Sequence, residues 1–489
     1  MNKEQFDNNM LNWITIIFIG VALLFYGAHL GQAIHVERAL YADGANFFVD
    51  LLNKQSVWPI ADDPKHIRLF VNFINQLPVA FALELGVEDL RLLRILFGAG
   101  LFLAPVFIYA YCFILSRRVA DYRVFFFAMV SMVTCAMPSE IFILNQSFTA
   151  LALAWVLVHY ILLGLNLRRF DWFIIVLVSI ILFRAHESLM VWGGIFVFSA
   201  AAVIWVRDSR RITNANLHVY TIGLLGLAQL AFVIYWQATH PVGQQTSAFL
   251  KLIGLVKPSE LWVGSTRISL LLAVLLLAVF ASDLLRRYRS DIGGASKEVF
   301  IFLFVSIGCF LVATGAMSLF QFDLTSPYRE YSYRFLITFG SAGWMSLSIV
   351  AVLGGWDLKV QARRLCVIAL SLGMVSASMW QISNNIQWSI FKNAAIQELN
   401  SQTDTLIDPV RVKDRLALYE QEIVYKYRWD WTWPVFGMSL QNDGRVERLF
   451  RPEGYDEYFK PPAMVPFVRF DGEGFFDFGA FRITNSSRP

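Results

Sequence analysis

The chain has 489 residues, 57% of them hydrophobic and only 16% charged, with a net charge of +4. Its mean hydropathy is +0.53. These values exclude an ordinary soluble protein and a basic nucleic-acid footprint, and they point to a chain built mainly of membrane spans.

The first apolar stretch, 12–33, is too long for a signal-peptide core and lacks a small-residue cleavage pattern. It reads as an uncleaved signal anchor. Directly after it come His35, Glu37, Arg38, Tyr41, Asp43, Gly44 and Asn46. From Asp43 onward an amphipathic pattern sets Phe47, Phe48, Leu51 and Leu52 on one side, which predicts a juxtamembrane helix lying along a surface. An acid at its start is favoured by the helix dipole, so Asp43 reads either as a cap or as a functional carboxylate.

A second stretch, 67–85, contains Arg68, Asn72, Asn75, Gln76, Pro78 and Glu84. Such groups are costly in lipid. A crossing here would also move every later Arg pair to the outside. The segment is therefore expected to be a non-spanning helix pair at the outer interface; the alternative is a twelve-span bundle that breaks the charge rule.

Further spans are expected at 92–116, 120–138, 147–165, 171–184, 188–206, 217–237, 267–285, 298–319, 334–354 and 363–381. Basic pairs follow every second span: Arg117/Arg118, Arg168/Arg169, Arg210/Arg211, Arg286/Arg287 and Arg363/Arg364. The positive-inside rule places them in the cytoplasm. The result is an all-α polytopic protein of the inner (plasma) membrane with about eleven spans and a cytoplasmic N-terminus. Residues 1–382 form the membrane domain, with 34–91 as its first outer loop, and 383–489 form an extracytoplasmic domain or cap. Within that tail, 387–400 and 408–423 read as helical, followed by Tyr425, Tyr427, Trp429, Trp431 and Trp433. Aromatic density of this kind suits a membrane interface and also suits stacking on sugar rings. The cysteines, Cys112, Cys135, Cys309 and Cys366, sit in apolar spans without metal-ligand spacing and read as buried small hydrophobes.

Two more polar clusters fall at outer span ends. Arg184, His186 and Glu187 form one; Asp323, Tyr328, Arg329, Glu330, Tyr331 and Arg334 lie in the other. Arg beside Tyr at a bilayer suits a lipid phosphate or pyrophosphate, because guanidinium binds such oxygens in bidentate fashion. An aromatic belt with one snorkelling Arg is the plainer alternative. His186 and Glu187 would also suit a divalent metal, but no HExxH or paired-His spacing supports one, so no metal or other cofactor is assigned. Weaker marks are Ser139, Glu140, Asn145 and Gln146, and Lys251, Lys257 and Glu260.

The run Tyr41, Asp43, Gly44, Asn46 and Phe47 after the first span, with Leu90, Arg91 and Arg94 entering the next, resembles the GT-C superfamily of integral-membrane glycosyltransferases. It looks most like the aminoarabinose and mannosyl transferases that modify lipid A or protein. The resemblance implies a GT-C-like bundle with periplasmic juxtamembrane helices, a polyprenyl-phosphate-linked sugar as donor, and an unknown acceptor: glycolipid, polysaccharide or protein. Many relatives carry an acid pair where this chain has Ala42 and Asp43. Asp43 is then the one catalytic acid carried over, as base towards the acceptor in an inverting transfer. Arg184, Arg329, Arg334 and Tyr328 would neutralise the leaving phosphate. His186, Glu187, Glu330, His35 and Glu37 would contact substrate or serve as an alternative base.

Two other classes compete. An O-antigen polymerase or ligase also works on polyprenyl-linked glycans, but its functional Arg and His usually sit in large late loops, whereas the longest internal outer loop here comes early. A lipid-linked glycan transporter or flippase would place ionisable groups mid-membrane in matched halves, and no internal repeat is visible.

Overall fold

In the computed structural model the described residues are 3–53, 58–60, 66–138, 146–207, 216–240, 336–355, 358, 360–404, 406–427, 432–441, 448–452, 469–470 and 476–477, with positions 272, 275 and 276. The expected spans 267–285 (those three positions apart) and 298–319 lie outside them.

The described chain is mainly helical. Its long helices are α1 (Lys3–His35), α5 (Leu90–Val119), α9 (Leu189–Arg207), α10 (Leu217–Thr239) and α12 (Val360–Ser401). Between them come α2 (Asp43–Asn53), α3 (Asn72–Asn75), α4 (Leu77–Glu84), α6 (Arg123–Ser131), α7 (Gln146–Leu162), α8 (Arg169–Phe183) and α11 (Ser341–Leu353). Two short helices, α13 (Glu422–Tyr427) and α14 (Trp433–Ser439), follow α12. Among the described residues five helices are long and apolar enough to cross a membrane: Leu11–His35, Leu90–Val119, Leu189–Arg207, Leu217–Thr239 and Val360–Ser401. Large apolar side chains such as Leu24 on α1, Phe107 on α5 and Leu224 on α10 are exposed, a pattern unsuited to water.

The stretch 67–85 contains only α3 and α4, of 4 and 8 residues, with Pro78 in the first turn of α4. Its amides are used internally. Gln76 Oε1 accepts from the Ile60 N–H at 2.8 Å, while Asn72 and Gln76 both donate to the Ile60 carbonyl.

The tail departs from expectation in one place. Residues 408–423 do not form one α-helix. They break into 3-10 turns, Pro409–Arg415 and Leu418–Glu420. Pro409 lacks an N–H and starts a new turn, and the Asp408 side chain caps it by accepting from Val410 N at 2.9 Å. Residues 387–400, by contrast, continue the last apolar helix without interruption as part of α12. The only strands among the described residues are two-residue pairs. β1 (Leu406–Ile407) is parallel to β2 (Leu449–Phe450), and β3 (Arg469–Phe470) is antiparallel to β4 (Phe476–Asp477).

Contacts divide the chain into two compact units built from separate segments. The first contains residues 1–28, 105–142 and 146–381. At its centre is α7, apolar all round and buried from Phe148 to Leu162. It packs on α6, α8, α9, α10 and α11. Helices α9 and α10 pack most closely, because Gly193 and Gly226 bring their backbones together: a Cβ built on Gly193 would lie 3.0 Å from the Gly226 carbonyl oxygen. The polar end of α8 is tied down by Asp171. It takes a bidentate pair from Arg118 at 2.6 and 2.9 Å, the Tyr160 hydroxyl at 3.0 Å and the Arg168 N–H at 2.7 Å.

The second unit contains residues 29–104, 143–145 and 382–489. Its core is aromatic. Phe391 stacks on Phe436 at 5.6 Å, and Trp388, Tyr427 and Trp433 pack around them. Helix α2 lies within this unit and contacts α14. The apolar pattern predicts a surface helix, yet Phe47, Phe48, Leu51 and Leu52 are buried and so are Asn46 and Asp50 on the polar side. The helix is thus buried on both its apolar and its polar side.

Candidate functional site

The loop after α1 turns twice through left-handed backbone, at Glu37 (φ 55°) and Ala42 (φ 49°). Side chains other than glycine adopt this region at a cost of order 1–3 kcal/mol, and such positions concentrate where surrounding structure dictates the path. Between them lies one 3-10 turn, Arg38–Leu40. Tyr41 is extended, and α2 begins at Asp43, which is half-buried in its first turn.

One face of α12 grips this loop. Asn385, Trp388 and Lys392 follow at a spacing of three and four residues and therefore point the same way. Asn385 Oδ1 accepts from Arg38 Nη1 at 2.8 Å, and its amide donates to the His29 carbonyl at 2.9 Å. Trp388 Nε1 donates to the Val36 carbonyl at 3.1 Å. Lys392 Nζ donates to Glu37 Oε2 at 2.8 Å. The other Glu37 oxygen, Oε1, accepts from Arg94 Nε at 2.8 Å. Arg94 Nη1 also donates to the carbonyls of Ser439 and Gln441, at 3.0 and 3.1 Å. Burial works against the Glu37 carboxylate, but the two cations outweigh it and hold its pKa below the usual glutamate range. Both oxygens are engaged, so Glu37 acts here as the anion of a buried cluster and is a weak base.

Tyr41 completes the enclosure. Its ring meets Trp388 and Tyr427 edge-on at 5.7 and 5.4 Å, and its hydroxyl donates to the Lys426 carbonyl at 3.3 Å. Lys426 in turn donates to Asn384 Oδ1 at 2.6 Å and Gln387 Oε1 at 2.8 Å. His35 is exposed in the last turn of α1. Thus Glu37 and Asp43 stand six residues apart along one clamped loop, with the carboxylate of the first fully paired.

In the first unit, His186, Glu187 and Ser188 are buried between α8 and α9. The Ser188 N–H donates to His186 Nδ1 at 3.1 Å, so Nδ1 is an acceptor and Nε2 carries the proton. That Nε2 lies 3.5 Å from Glu187 Oε2. The Ser188 hydroxyl lies 2.8 Å from Nδ1 and 2.6 Å from the Thr338 hydroxyl. Thr338 belongs to a π-helical turn, Leu336–Gly340, and Trp192 Nε1 donates to its carbonyl at 3.1 Å and to Ser341 Oγ at 2.9 Å. A π turn exposes backbone groups that a regular helix uses, and it recurs at functional sites. Arg184 lies with its guanidinium carbon 4.3 Å from the centroid of the Trp236 ring. Tyr328, Arg329, Glu330 and Arg334 lie outside the described residues, as do Ser139, Glu140, Asn145, Lys251, Lys257 and Glu260. Among the described residues no group of three or more His, Cys, Asp or Glu side chains is placed to hold a metal ion.

Sequence reading passed over Lys392, Asn385 and Lys426. The usable signal was charge in apolar surroundings: Lys392 sits among Trp388, Phe391, Ala394 and Ala395, where an unpaired ammonium would be unfavourable.

No family model matches the chain, and comparison with curated proteins and with solved structures found no match either.

Proposed function

We propose that the protein is an inverting glycosyltransferase of the GT-C type, moving a sugar from a polyprenyl-phosphate donor to an acceptor on the outer face of the membrane. In this reading the chain spans an inner membrane about eleven times, its N-terminus is cytoplasmic, and residues after 382 are extracytoplasmic. The observation that carries the reading is the placement of Asp43. It is a half-buried acid at the first turn of α2, just past the first long apolar helix, on a loop bent through left-handed backbone at Ala42. Nearby Glu37 is consumed by Arg94 and Lys392. Asp43 is the acid that the GT-C resemblance carries over, as the base taking the acceptor proton, and one base suffices for inversion.

The test is transfer by the purified full-length protein in liposomes, with radiolabelled polyprenyl-phosphate sugars and membrane acceptors, wild type beside Asp43→Asn. Label reaching an acceptor with wild type alone supports the reading. Transfer by both discards Asp43 as the base. Passage of the lipid-linked sugar across the bilayer without any transferred product makes the protein a transporter.

A further inference from the structure

The segment between Arg68 and Glu84 holds no charged residue, and its side chains are sorted in the order opposite to that of a water-facing surface. Asn72, Asn75 and Gln76 are buried, whereas Leu77, Phe81 and Leu85 are 49%, 63% and 68% exposed. The three apolar residues follow at a spacing of four, so they line one face of α4 and of the residue that ends it. The amides close inward. Asn72 and Gln76 hold Ile60, the Gln76 N–H donates to the Asn72 carbonyl at 2.9 Å, and the Val79 N–H donates to the Gln76 carbonyl at 3.1 Å. The bend thus satisfies these polar groups within the protein, which is the condition for irregular backbone at membrane depth.

The junction of α3 and α4 is seated on α5. A Cβ built on Gly100 would fall on the Asn75 carbonyl oxygen and lie 3.1 Å from Pro78 Cδ, so only glycine admits this contact. From Leu90 to Gly100 the helix rises about 15 Å, at 1.5 Å per residue. The roughly 20 residues that a helix needs to cross the hydrocarbon core, counted back from Arg117, begin at Phe97, so Gly100 falls within that layer. Beyond the junction the chain returns to the start of α5 through Gly86, at φ 75°, where Glu84, Glu88, Asp89 and Arg91 are exposed. Apolar residues stand at the deep end of the turn and charges at its shallow end. We propose that α3 and α4 form a re-entrant wedge in the bilayer leaflet at the N-terminal end of α5, and that Leu77, Phe81 and Leu85 are its contact with lipid acyl chains. A helix pair lying flat on the surface would hold these three at one depth; the wedge places Leu77 deepest and Leu85 nearest the headgroups. The inference requires α5 to cross the membrane and stands apart from the glycosyltransferase reading.

Photolabelling of the full-length wild-type protein in phosphatidylcholine vesicles tests it, with a diazirine carried on the acyl chain of a trace of the same lipid. Trypsin releases the wedge as residues 69–91 and the middle of α5 as residues 95–117. Acyl label is expected on both peptides, at Leu77 and Phe81 in the first and at Phe107, exposed on α5, in the second. Label on 95–117 with none on 69–91 would overturn the proposal. Depth is read from nitroxides attached in Leu77→Cys, Phe81→Cys and Leu85→Cys, as the ratio of collisions with oxygen to collisions with a water-soluble nickel chelate. Cys112, Cys135 and Cys366 are buried, and wild type treated in the same way supplies the background. The ratio should fall severalfold from Leu77 to Leu85. Equal ratios at the three positions would describe a pair lying on the surface and overturn the wedge. A dimer in native mass spectrometry that Phe81→Glu dissociates, with the stripe protected from acyl label, would make a second copy of the chain the occupant and overturn it too.

Discussion

Glu37 and Lys392 stand 355 residues apart in the chain and meet as a buried ion pair at 2.8 Å. Arg94 closes on the other oxygen of the same carboxylate at the same distance. An ion cluster of this kind reports the assembled state of its unit, because none of its members tolerates burial alone.

Glu37→Gln should therefore be strongly destabilising. Removing one partner of a buried pair costs about 3–5 kcal/mol, since the remaining charge stays buried and uncompensated. Here two cations would be left facing an amide. Thermal melting of the purified protein followed by tryptophan fluorescence checks this, and Trp388 and Trp433 in the same unit make that signal sensitive. A melting curve indistinguishable from wild type would mean that the cluster contributes nothing net.

The same carboxylate sets an acid limit. Glu37 titrates below its ordinary value of 4.5 in the folded protein. A depressed carboxylate contributes stability that is fully present above the unfolded value and is lost as pH falls through the folded one. Wild-type melting temperature should thus fall as pH is lowered below about 4.5, towards the depressed folded value. In Glu37→Gln that part of the pH dependence should be missing. Parallel acid curves for the two proteins would assign the loss to other groups.

Under the proposed glycosyltransferase function, Asp43→Asn should lower transfer sharply and leave folding intact. Asparagine caps a helix about as well as aspartate, so the start of α2 is preserved. Loss of a general base typically lowers the rate by roughly a hundredfold to ten-thousandfold. Transfer rate measured beside the melting temperature separates the two effects. A large drop in melting temperature with proportionate loss of transfer would identify Asp43 as a structural cap instead.

Gly226→Ala should weaken the packing of α9 on α10. A Cβ at this position would lie 2.9 Å from Phe196 Cβ, closer than side chains tolerate, and the contacting atom is not the end of a flexible chain. Overpacking of this kind costs about 1–3 kcal/mol. Gly194→Ala is the control, because nothing lies within 4 Å of its added Cβ. The melting temperature should fall for the first variant and hold for the second.

Much of the fold was legible in the sequence. Among the described residues, length and apolarity alone mark α1, α5, α9, α10 and α12, because a run of apolar residues long enough to span a bilayer has few other stable states. The short pair α3 and α4 was legible too, from Pro78 and the amides of Asn72 and Gln76. The break at Pro409 was written in the sequence as well, and an apparent helical pattern over 408–423 obscured it. Asp43 could be marked from its position after the first span.

What only the tertiary structure decided is which polar residues are occupied. Local pattern marks Glu37 as an acid just past the first span but not its counterions; Arg94 and Lys392, far apart in the chain, engage both of its oxygens. Helix α2 likewise packs on α14, far along the chain, and its Asn46 and Asp50 are buried. Local periodicity records which face of an element is apolar; long-range packing determines what covers the other face and where each buried charge finds its counterion.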